Sequence, residues 1–208
     1  MTLAMIETLL RWFGGMIAYT TLGIILYGIW RGTRHPTGRT AGRAAGWLRS
    51  PAFYALMTLL FLAVSVIFWK PLLPTLPPDI RALFLVAGAL LYFPGMAFVL
   101  WGRLALGKMY FVSTGFGAQL YADHQLVTRG PYAIVRHPMY LGLMVAAFGS
   151  LLIYKTWTTV LFALFAPFVL RRARREEQAL SAEFGEQWQA YCHRVPMLFV
   201  CLRKRDEK

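Results

Sequence analysis

Acidic residues are scarce in this sequence. Of its 208 residues, 9 are Asp or Glu and 22 are Lys or Arg, so the formal net charge is +13. Basic proteins often bind nucleic acid, but these arginines lie between long apolar runs and form no continuous stripe with interleaved aromatic residues. We therefore expect no nucleic-acid partner, and we attribute the charge to contact with the anionic headgroups of membrane lipids.

Cysteine is equally scarce. Cys192 and Cys201 both lie in the basic C-terminal segment, which we place in the cytoplasm, where disulfides are rare. We predict two free thiols. A metal site is disfavoured because an adjacent Cys-His pair lacks the C-x2–4-C or H-x3–5-H spacing that lets ligands converge. The side chains considered as its ligands are His124, His137, Cys192 and His193.

Long apolar segments dominate the chain, and 58% of its residues are hydrophobic. Such a share is unusual for a soluble domain. The first three segments are long enough to cross a bilayer, which needs roughly 20 residues, and the last two are shorter and separated only by Lys155 and Thr156. We predict an all-α polytopic membrane protein with about five transmembrane helices, the last two forming a hairpin. The segments are Trp12–Trp30, Pro51–Trp69, Ala82–Trp101, Met139–Tyr154 and Trp157–Leu170.

The distribution of arginine predicts the orientation of these helices. The link after the first segment contains five arginines and no acidic residue, whereas the link after the second has no basic residue between Lys70 and Arg81. The positive-inside rule places the first link in the cytoplasm, with the N-terminus outside and the C-terminus inside. The N-terminus lacks a basic region and a cleavage signal, so we expect a retained helix. The five arginines are Arg31, Arg34, Arg39, Arg43 and Arg49.

Two polar stretches fall on this same side and flank the predicted hairpin. In "HQLVTRGPYAIVRHPMY", Gly130-Pro131 favours a turn and Pro138 suits the first position of a helix, whose free N–H groups can hold an anion. In "RREEQALSAEFGEQWQAYCHRVP", helical projection gives a cytoplasmic amphipathic helix with Glu177 near the middle of its apolar stripe and Glu176 at the edge. Gly185 either breaks that helix or allows a close approach.

These motifs resemble a known family. RHPxYxG, EExxL, FGxxxxxY and RVP, in that order between His124 and Pro196, resemble the isoprenylcysteine carboxyl methyltransferases and their relatives among the membrane phospholipid methyltransferases. The resemblance implies an integral membrane enzyme that uses S-adenosylmethionine (SAM), with its active site on the cytoplasmic face. It implies one membrane domain over residues 1–208, in which residues 81–208 form the methyltransferase core and residues 1–80 supply helices of unclear role.

The resemblance also implies the residues that bind SAM. The two motifs close over the cofactor, with His137 and Arg136 suiting its carboxylate and Glu176 or Glu177 its ammonium or ribose. Glu177 and Arg194 are the catalytic candidates, and Arg194 is expected to hold a carboxylate acceptor. The full predicted SAM site is His124, Leu126, Val127, Tyr132, Arg136, His137, Tyr140, Glu176 and Glu177.

The methyl acceptor stays open at this point. A hydrophobic or lipid-modified carboxylate, such as a prenylated cysteine, is the nearest resemblance, and a lipid amine or a small thiol is an alternative. Pro94, Gly95, Gly142 and Gly149 either pack helices together or leave a gap for a lipid tail. A transporter subunit or scaffold is the alternative of another class. It is disfavoured because the apolar segments contain almost no ionisable residues for an ion path.

Overall fold

Helices make up most of the chain. The computed structural model describes residues 2–34, 37–41, 50–72, 76–110, 113–114 and 117–198. Arg43, Arg49 and Cys201 lie outside the described residues, and Cys192 has a free thiol, as predicted. The helices are α1 (Leu3–Gly32), α2 (Pro51–Ile67), α3 (Pro78–Leu106), α4 (Pro138–Tyr154), α5 (Trp157–Phe165) and α6 (Val169–Arg194).

The predicted hairpin is confirmed, and its turn is fixed by local chemistry. Lys155 ends α4 in the left-handed conformation, with φ of 52°. Thr156 then begins α5, because its hydroxyl accepts a hydrogen bond from the backbone N–H of Thr159 while the Thr159 hydroxyl accepts one from the N–H of Thr156. α5 is short and continues through a 3-10 turn, Ala166–Phe168, directly into α6. This continuity brings the first turns of α6 back toward the start of α4.

Glycines spaced seven residues apart bring α3 and α4 into close contact. Gly88 and Gly95 of α3 face Gly149 and Gly142 of α4, and Gly102 lies against Pro138 and Met139 at the start of α4. A Cβ atom added at Gly95 would lie 2.7 Å from the backbone nitrogen of Ala146. Such contacts leave no room for a side chain, so at this interface the small residues pack helices together and do not open a gap for a lipid tail.

We expect Gly149→Ala to destabilise the protein by about 1–3 kcal/mol, the usual cost of overpacking. The new Cβ would lie 2.4 Å from the backbone nitrogen of Tyr92, so the two helices must separate. Thermal unfolding in detergent measures the effect. Gly23→Ala is the matched control, because no atom lies within 4 Å of the added Cβ. Equal stability of the two variants would contradict this account of the interface.

α1 packs against the other helices through a narrow stripe. Its buried residues include Glu7, Gly14, Thr21 and Gly28, again seven apart. The Tyr92 hydroxyl donates a hydrogen bond of 2.7 Å to the Gly14 carbonyl oxygen. At one end of the bundle Glu7 pairs with side chains from the start of α3 and the end of α4, and at the other end Gly28 lies against α3. α1 and α3 therefore run parallel, and α4 runs antiparallel to both.

The outer faces of the helices are apolar. Large side chains such as Trp12, 73% exposed, and Val66, 74% exposed, cover them. Leu3–Gly32 and Pro78–Met109 are long and apolar enough to cross a membrane, whereas Pro51–Ile67 and Pro138–Tyr154 are shorter apolar helices. The predicted segments are thus helical, and the prediction that five of them span the bilayer with the N-terminus outside stays a prediction.

A small antiparallel sheet modifies the expectation of a purely helical fold. Its strands are β1 (Thr37–Ala41), β2 (Ser113–Thr114) and β3 (Gly117–Tyr121), in the order β1-β3-β2. β1 belongs to the link after α1, and β2 and β3 belong to the link after α3. Pairing of β1 with β3 therefore joins the two links that the arginine distribution assigned to the same side.

Candidate active site

The two polar stretches that flank the hairpin meet around one cavity of about 90 Å³. The segment from the end of α3 to the start of α4 forms one wall, and α6 forms the opposite wall. The lining residues are Leu106, Tyr110, His124, Leu126, Val127, Tyr132, Arg136, His137, Met139, Tyr140, Arg172, Glu176, Leu180, Trp188 and Tyr191.

Arg136 joins the two walls. Its Nε donates a hydrogen bond of 2.8 Å to Oε1 of Glu177, and its Nη1 donates one of 2.9 Å to the Val195 carbonyl oxygen. Its backbone N–H also donates to the carbonyl oxygen of Pro196, at 2.8 Å. A guanidinium in this position neutralises a carboxylate and satisfies carbonyl groups at the end of α6. Arg136 is therefore a structural link and not a free interfacial arginine.

His137 and Glu177 extend this link. His137 Nε2 lies 3.2 Å from Oε1 of Glu177, and the backbone N–H of His137 donates to the Met197 carbonyl oxygen at 3.1 Å. Burial alone would raise the pKa of Glu177, but hydrogen bonds from His137 and Arg136 outweigh it and hold this pKa below its ordinary value. Glu177 is ionised at neutral pH and lies behind the cavity wall.

Glu176 is the carboxylate that lines the cavity, and it is 8% exposed. The Tyr140 hydroxyl donates a short hydrogen bond to it. Arg172, one helical turn earlier, has its Nε 3.5 Å from Oε1 of Glu176 and its guanidinium 5.4 Å from the centre of the Tyr140 ring. The His137 ring stacks on the Tyr140 ring at 5.5 Å. The carboxylate of Glu176 and the guanidinium of Arg172 thus lie together beside the stacked rings of Tyr140 and His137.

Apolar side chains form the rest of the wall. Leu180 and Trp188 of α6 are buried in one cluster, and Leu126 packs against it. The Tyr191 hydroxyl donates a hydrogen bond of 2.6 Å to the Tyr132 carbonyl oxygen, which fixes the 3-10 turn Gly130–Ala133 against α6. The cavity therefore offers a charged end and an apolar side, which suits a ligand with both characters.

His124 lies at the edge of the cavity between the rings of Tyr121 and Phe184, at 6.1 and 6.0 Å. Burial lowers the pKa of His124 to about 4. Its imidazole is therefore neutral at physiological pH and cannot hold an anion by charge.

We expect the stability that depends on His124 to fall in mild acid. Because the pKa is about 4 in the folded protein and about 6.5 when unfolded, the unfolded chain binds more protons between these values. The contribution of His124 to the free energy of unfolding is complete above pH 6.5 and is lost as the pH falls toward 4. The midpoint of thermal unfolding, measured from pH 7.5 to 5, should fall more steeply for wild type than for His124→Gln. His193→Gln, at an exposed position, should follow wild type, and equal slopes for all three would contradict the prediction.

The structure brings most of the predicted site residues together. Eight of the nine predicted SAM-binding residues line the cavity, and the ninth, Glu177, contacts two of the eight. Arg194 stands apart: it is exposed, its Nε lies 3.3 Å from the Ala190 carbonyl oxygen of its own helix, and it does not line the cavity.

Several lining residues were absent from the sequence prediction. Arg172 had a usable signal, since it precedes Glu176 by four residues on one helix and such pairs are neighbours. Tyr110 had none, because it lies in the link after α3, far in sequence from the RHPxYxG and EExxL motifs.

Gly185 breaks the regular helix, which decides between the two alternatives for this residue. Its φ is 47° and its ψ is −118°, within the span of α6. No atom lies within 4 Å of an added Cβ, so the glycine serves a change of direction and not a close approach. The break lies between Leu180 and Trp188, both of which line the cavity.

Within the described ranges, no group of three or more His, Cys, Asp or Glu side chains is arranged to hold a metal ion.

Comparisons with known proteins agree with the motifs. Residues 83–187 match the sequence pattern of the phospholipid methyltransferases. The chain is 40% identical over 76 residues to the protein-S-isoprenylcysteine O-methyltransferase of Schizosaccharomyces pombe, covering 36% of this chain and 32% of that protein. It is 43% identical over 81 residues to methanethiol S-methyltransferase 2 of Bradyrhizobium diazoefficiens, covering 37% and 30%.

A relative with a different chemistry also matches. The chain is 35% identical over 81 residues to the Delta(14)-sterol reductase of Mus musculus, covering 36% of this chain and 19% of that protein. In each of these relatives the chain therefore covers about a third of the length or less. The resemblance inferred from the RHPxYxG and EExxL motifs is confirmed. The names of the two methyltransferases differ in the group that receives the methyl, isoprenylcysteine in one and methanethiol in the other.

Proposed function

The chain belongs to the phospholipid methyltransferase family, a family of membrane methyltransferases, and we propose that it transfers a methyl group from SAM to a hydrophobic acceptor that reaches the cavity from the bilayer. The observation that carries the proposal is the meeting of the RHPxYxG and EExxL motifs around one cavity. The positive-inside rule supports a cytoplasmic active site, because the arginine-rich link after α1 pairs with the link that precedes this cavity.

The chemistry of the lining residues fits SAM. The cofactor carries an ammonium, a carboxylate and an adenosine, and the cavity offers a carboxylate, a guanidinium and an apolar wall. Glu176 would hold the ammonium and Arg172 the carboxylate. Leu126, Val127 and Leu180 would pack against the adenosine, with the neutral His124 at its edge. When bound, SAM supplies a methyl group activated by a sulfonium cation.

The residues around the cavity orient these groups. The Tyr140 hydroxyl donates a hydrogen bond to Glu176 and so fixes the direction of that carboxylate. The contacts of Glu177 with Arg136 and His137 hold α6 against the start of α4. They therefore keep the two walls of the cavity in fixed relative positions. In methyl transfer, positioning of the reactants and exclusion of water supply most of the acceleration. We assign Glu177 a positioning role and Glu176 direct contact with the cofactor.

A carboxylate on a lipid-modified acceptor is the favoured substrate, as in the isoprenylcysteine O-methyltransferase that the chain resembles. A carboxylate is ionised at neutral pH and needs orientation more than a base. Arg194 remains our candidate to bind this carboxylate as the acceptor approaches the cavity, because this arginine is exposed and does not line the cavity. A thiol is the second candidate acceptor, because the relative with the highest identity among those above is a methanethiol S-methyltransferase.

The experiment that tests the acceptor class follows the labelled methyl group of SAM. The purified protein is incubated with labelled SAM and a farnesylcysteine analogue, with methanethiol, or with membranes, and the product is treated with mild base. Release of volatile methanol identifies a methyl ester and supports the carboxylate acceptor. Label that is transferred but survives base identifies an N- or S-methyl product. This result would contradict a carboxylate acceptor and the role of Arg194 in holding it.

Calorimetric titration of SAM into the detergent-solubilised protein separates an enzyme from a transporter subunit or scaffold. We expect saturable binding by wild type and by Arg194→Ala, because Arg194 does not line the cavity. No binding by wild type would sink the methyltransferase proposal. Loss of binding in Arg194→Ala alone would contradict the separation of Arg194 from the cofactor.

A further inference from the structure

A second, smaller cavity of about 30 Å³ lies beside the first, where the C-terminal ends of α1 and α3 meet. It shares Tyr110 with the larger cavity. α1 and α3 are both long and apolar enough to cross a membrane. We therefore expect lipid headgroups to lie at the ends of these helices, beside the cavity. Its lining includes Gly28, Arg31, Arg103, Gly107, Lys108 and Tyr110.

Arg103 is the central residue of this cavity, and it is 8% exposed. Its guanidinium lies over the Tyr110 ring at 4.2 Å, and its Nη1 donates a hydrogen bond of 3.4 Å to the Gly107 carbonyl oxygen. No described residue accepts a hydrogen bond from its buried Nε. A buried guanidinium with an unused donor is costly unless a ligand satisfies it.

The fold makes room for this guanidinium. A Cβ added at Gly28 of α1 would lie 2.2 Å from Nη2 of Arg103, so the guanidinium occupies the space that a side chain at position 28 would take. Gly28 is one of the residues through which α1 packs on the bundle. The close contact of α1 therefore covers Arg103 and removes it from bulk solvent, which strengthens its attraction for an anion.

The charge of the cavity is positive. Arg31 and Lys108 add exposed cationic side chains to the buried Arg103, and none of the described residues contributes a carboxylate to the lining. Three cations in a cavity whose described lining holds no carboxylate match a multiply charged oxyanion, and a guanidinium suits phosphate geometry through paired N–H donors.

We propose that Arg31, Arg103 and Lys108 form a binding site for a phosphate group, carried either by a phospholipid headgroup or by a soluble phosphate compound. The site goes beyond the proposed methyl transfer, since none of the three cations lines the larger cavity. It is adjacent to that cavity through Tyr110, so an occupied phosphate site would hold a charged group next to the cofactor cavity.

Binding of three probes to the detergent-solubilised protein tests the proposal without SAM. The probes are short-chain phosphatidate, inorganic phosphate and the matched neutral diacylglycerol, and the readouts are Kd and the midpoint of thermal unfolding. We expect a phosphate probe at ten times its Kd to raise the midpoint by about 3–6 °C. Tighter binding of phosphatidate identifies a lipid as the source, and equal binding of inorganic phosphate identifies a soluble one.

The variants decide whether binding occurs at this cavity. Arg31→Ala combined with Lys108→Ala changes exposed side chains and leaves the buried packing intact, and we expect the Kd of the phosphate probe to rise at least about tenfold. Arg103→Gln should abolish binding. Arg174→Ala, at an exposed position of α6 outside both cavities, is the matched control and should bind as wild type does. Binding that the Arg31/Lys108 double variant leaves unchanged, or no binding of either phosphate probe by wild type, would overturn the proposal.

Discussion

Replacement of Glu176 by glutamine will weaken SAM binding at least about 30-fold and will reduce methyl transfer in parallel. Glutamine keeps the shape of the side chain but removes the negative charge that we assign to the cofactor ammonium. Truncating one partner of a buried, hydrogen-bonded charge pair usually costs about 2–5 kcal/mol, and every 1.4 kcal/mol is tenfold in Kd. Titration calorimetry measures the Kd, and thermal unfolding shows whether the fold is retained.

Two further variants separate contact from positioning. Glu186→Gln removes an exposed carboxylate from the same helix and should leave the Kd for SAM unchanged. Glu177→Gln should lower the midpoint of thermal unfolding more than Glu176→Gln does, because Arg136 and His137 lose their shared acceptor. If Glu177→Gln weakens SAM binding while Glu176→Gln does not, the roles assigned to the two carboxylates are reversed.

The sequence predicted the two halves of the site but not the arrangement within it. RHPxYxG and EExxL are local patterns, and the hairpin between them is set by a two-residue polar turn, so their proximity follows from length alone. Helical projection placed Glu177 nearer the apolar stripe, whereas Glu176 is the residue that lines the cavity. The structure pairs Glu177 with Arg136 and His137 of the opposite wall, and such long-range contacts are absent from a single-helix projection.

The fold shows the same division between local and long-range information. The five apolar segments were visible because an apolar run of sufficient length is a local signal. The small sheet was not, since β2 has two residues and its neighbour β3 pairs with a strand from a distant link. The contact stripe of α1 was hidden for another reason. Gly14 and Gly28 have no side chain and Thr21 has a small one, and small residues give no hydrophobic periodicity even when they form the helix interface.

Glu7 gives the largest effect on stability that we expect from a single substitution. Its side chain is 4% exposed, and it pairs with Arg11 at 2.6 Å, with Lys155 at 3.3 Å and with Arg81. Glu7→Gln leaves the ammonium of Lys155, whose side chain is 12% exposed, without its carboxylate, and breaking a buried ion pair by removing one partner costs about 3–5 kcal/mol. Arg11 and Arg81 are more than one third exposed, so water compensates most of their loss. In a protein of this size the loss at Lys155 corresponds to a fall of about 10 °C in the midpoint of thermal unfolding. Differential scanning fluorimetry of the detergent-solubilised protein measures it.

Asp79→Asn is the matched control for Glu7→Gln. Asp79 is an exposed carboxylate in the first turn of α3, at the same end of the bundle, and its replacement should change stability by no more than about 0.5 kcal/mol. Equal effects of the two substitutions would show that net charge, and not the buried cluster, sets the stability of this end. Because α1 contacts α3 at Gly28 as well as at Glu7, a detached α1 would also uncover Arg103. Glu7→Gln should therefore weaken phosphate binding at the far end of the helix, whereas Asp79→Asn should not.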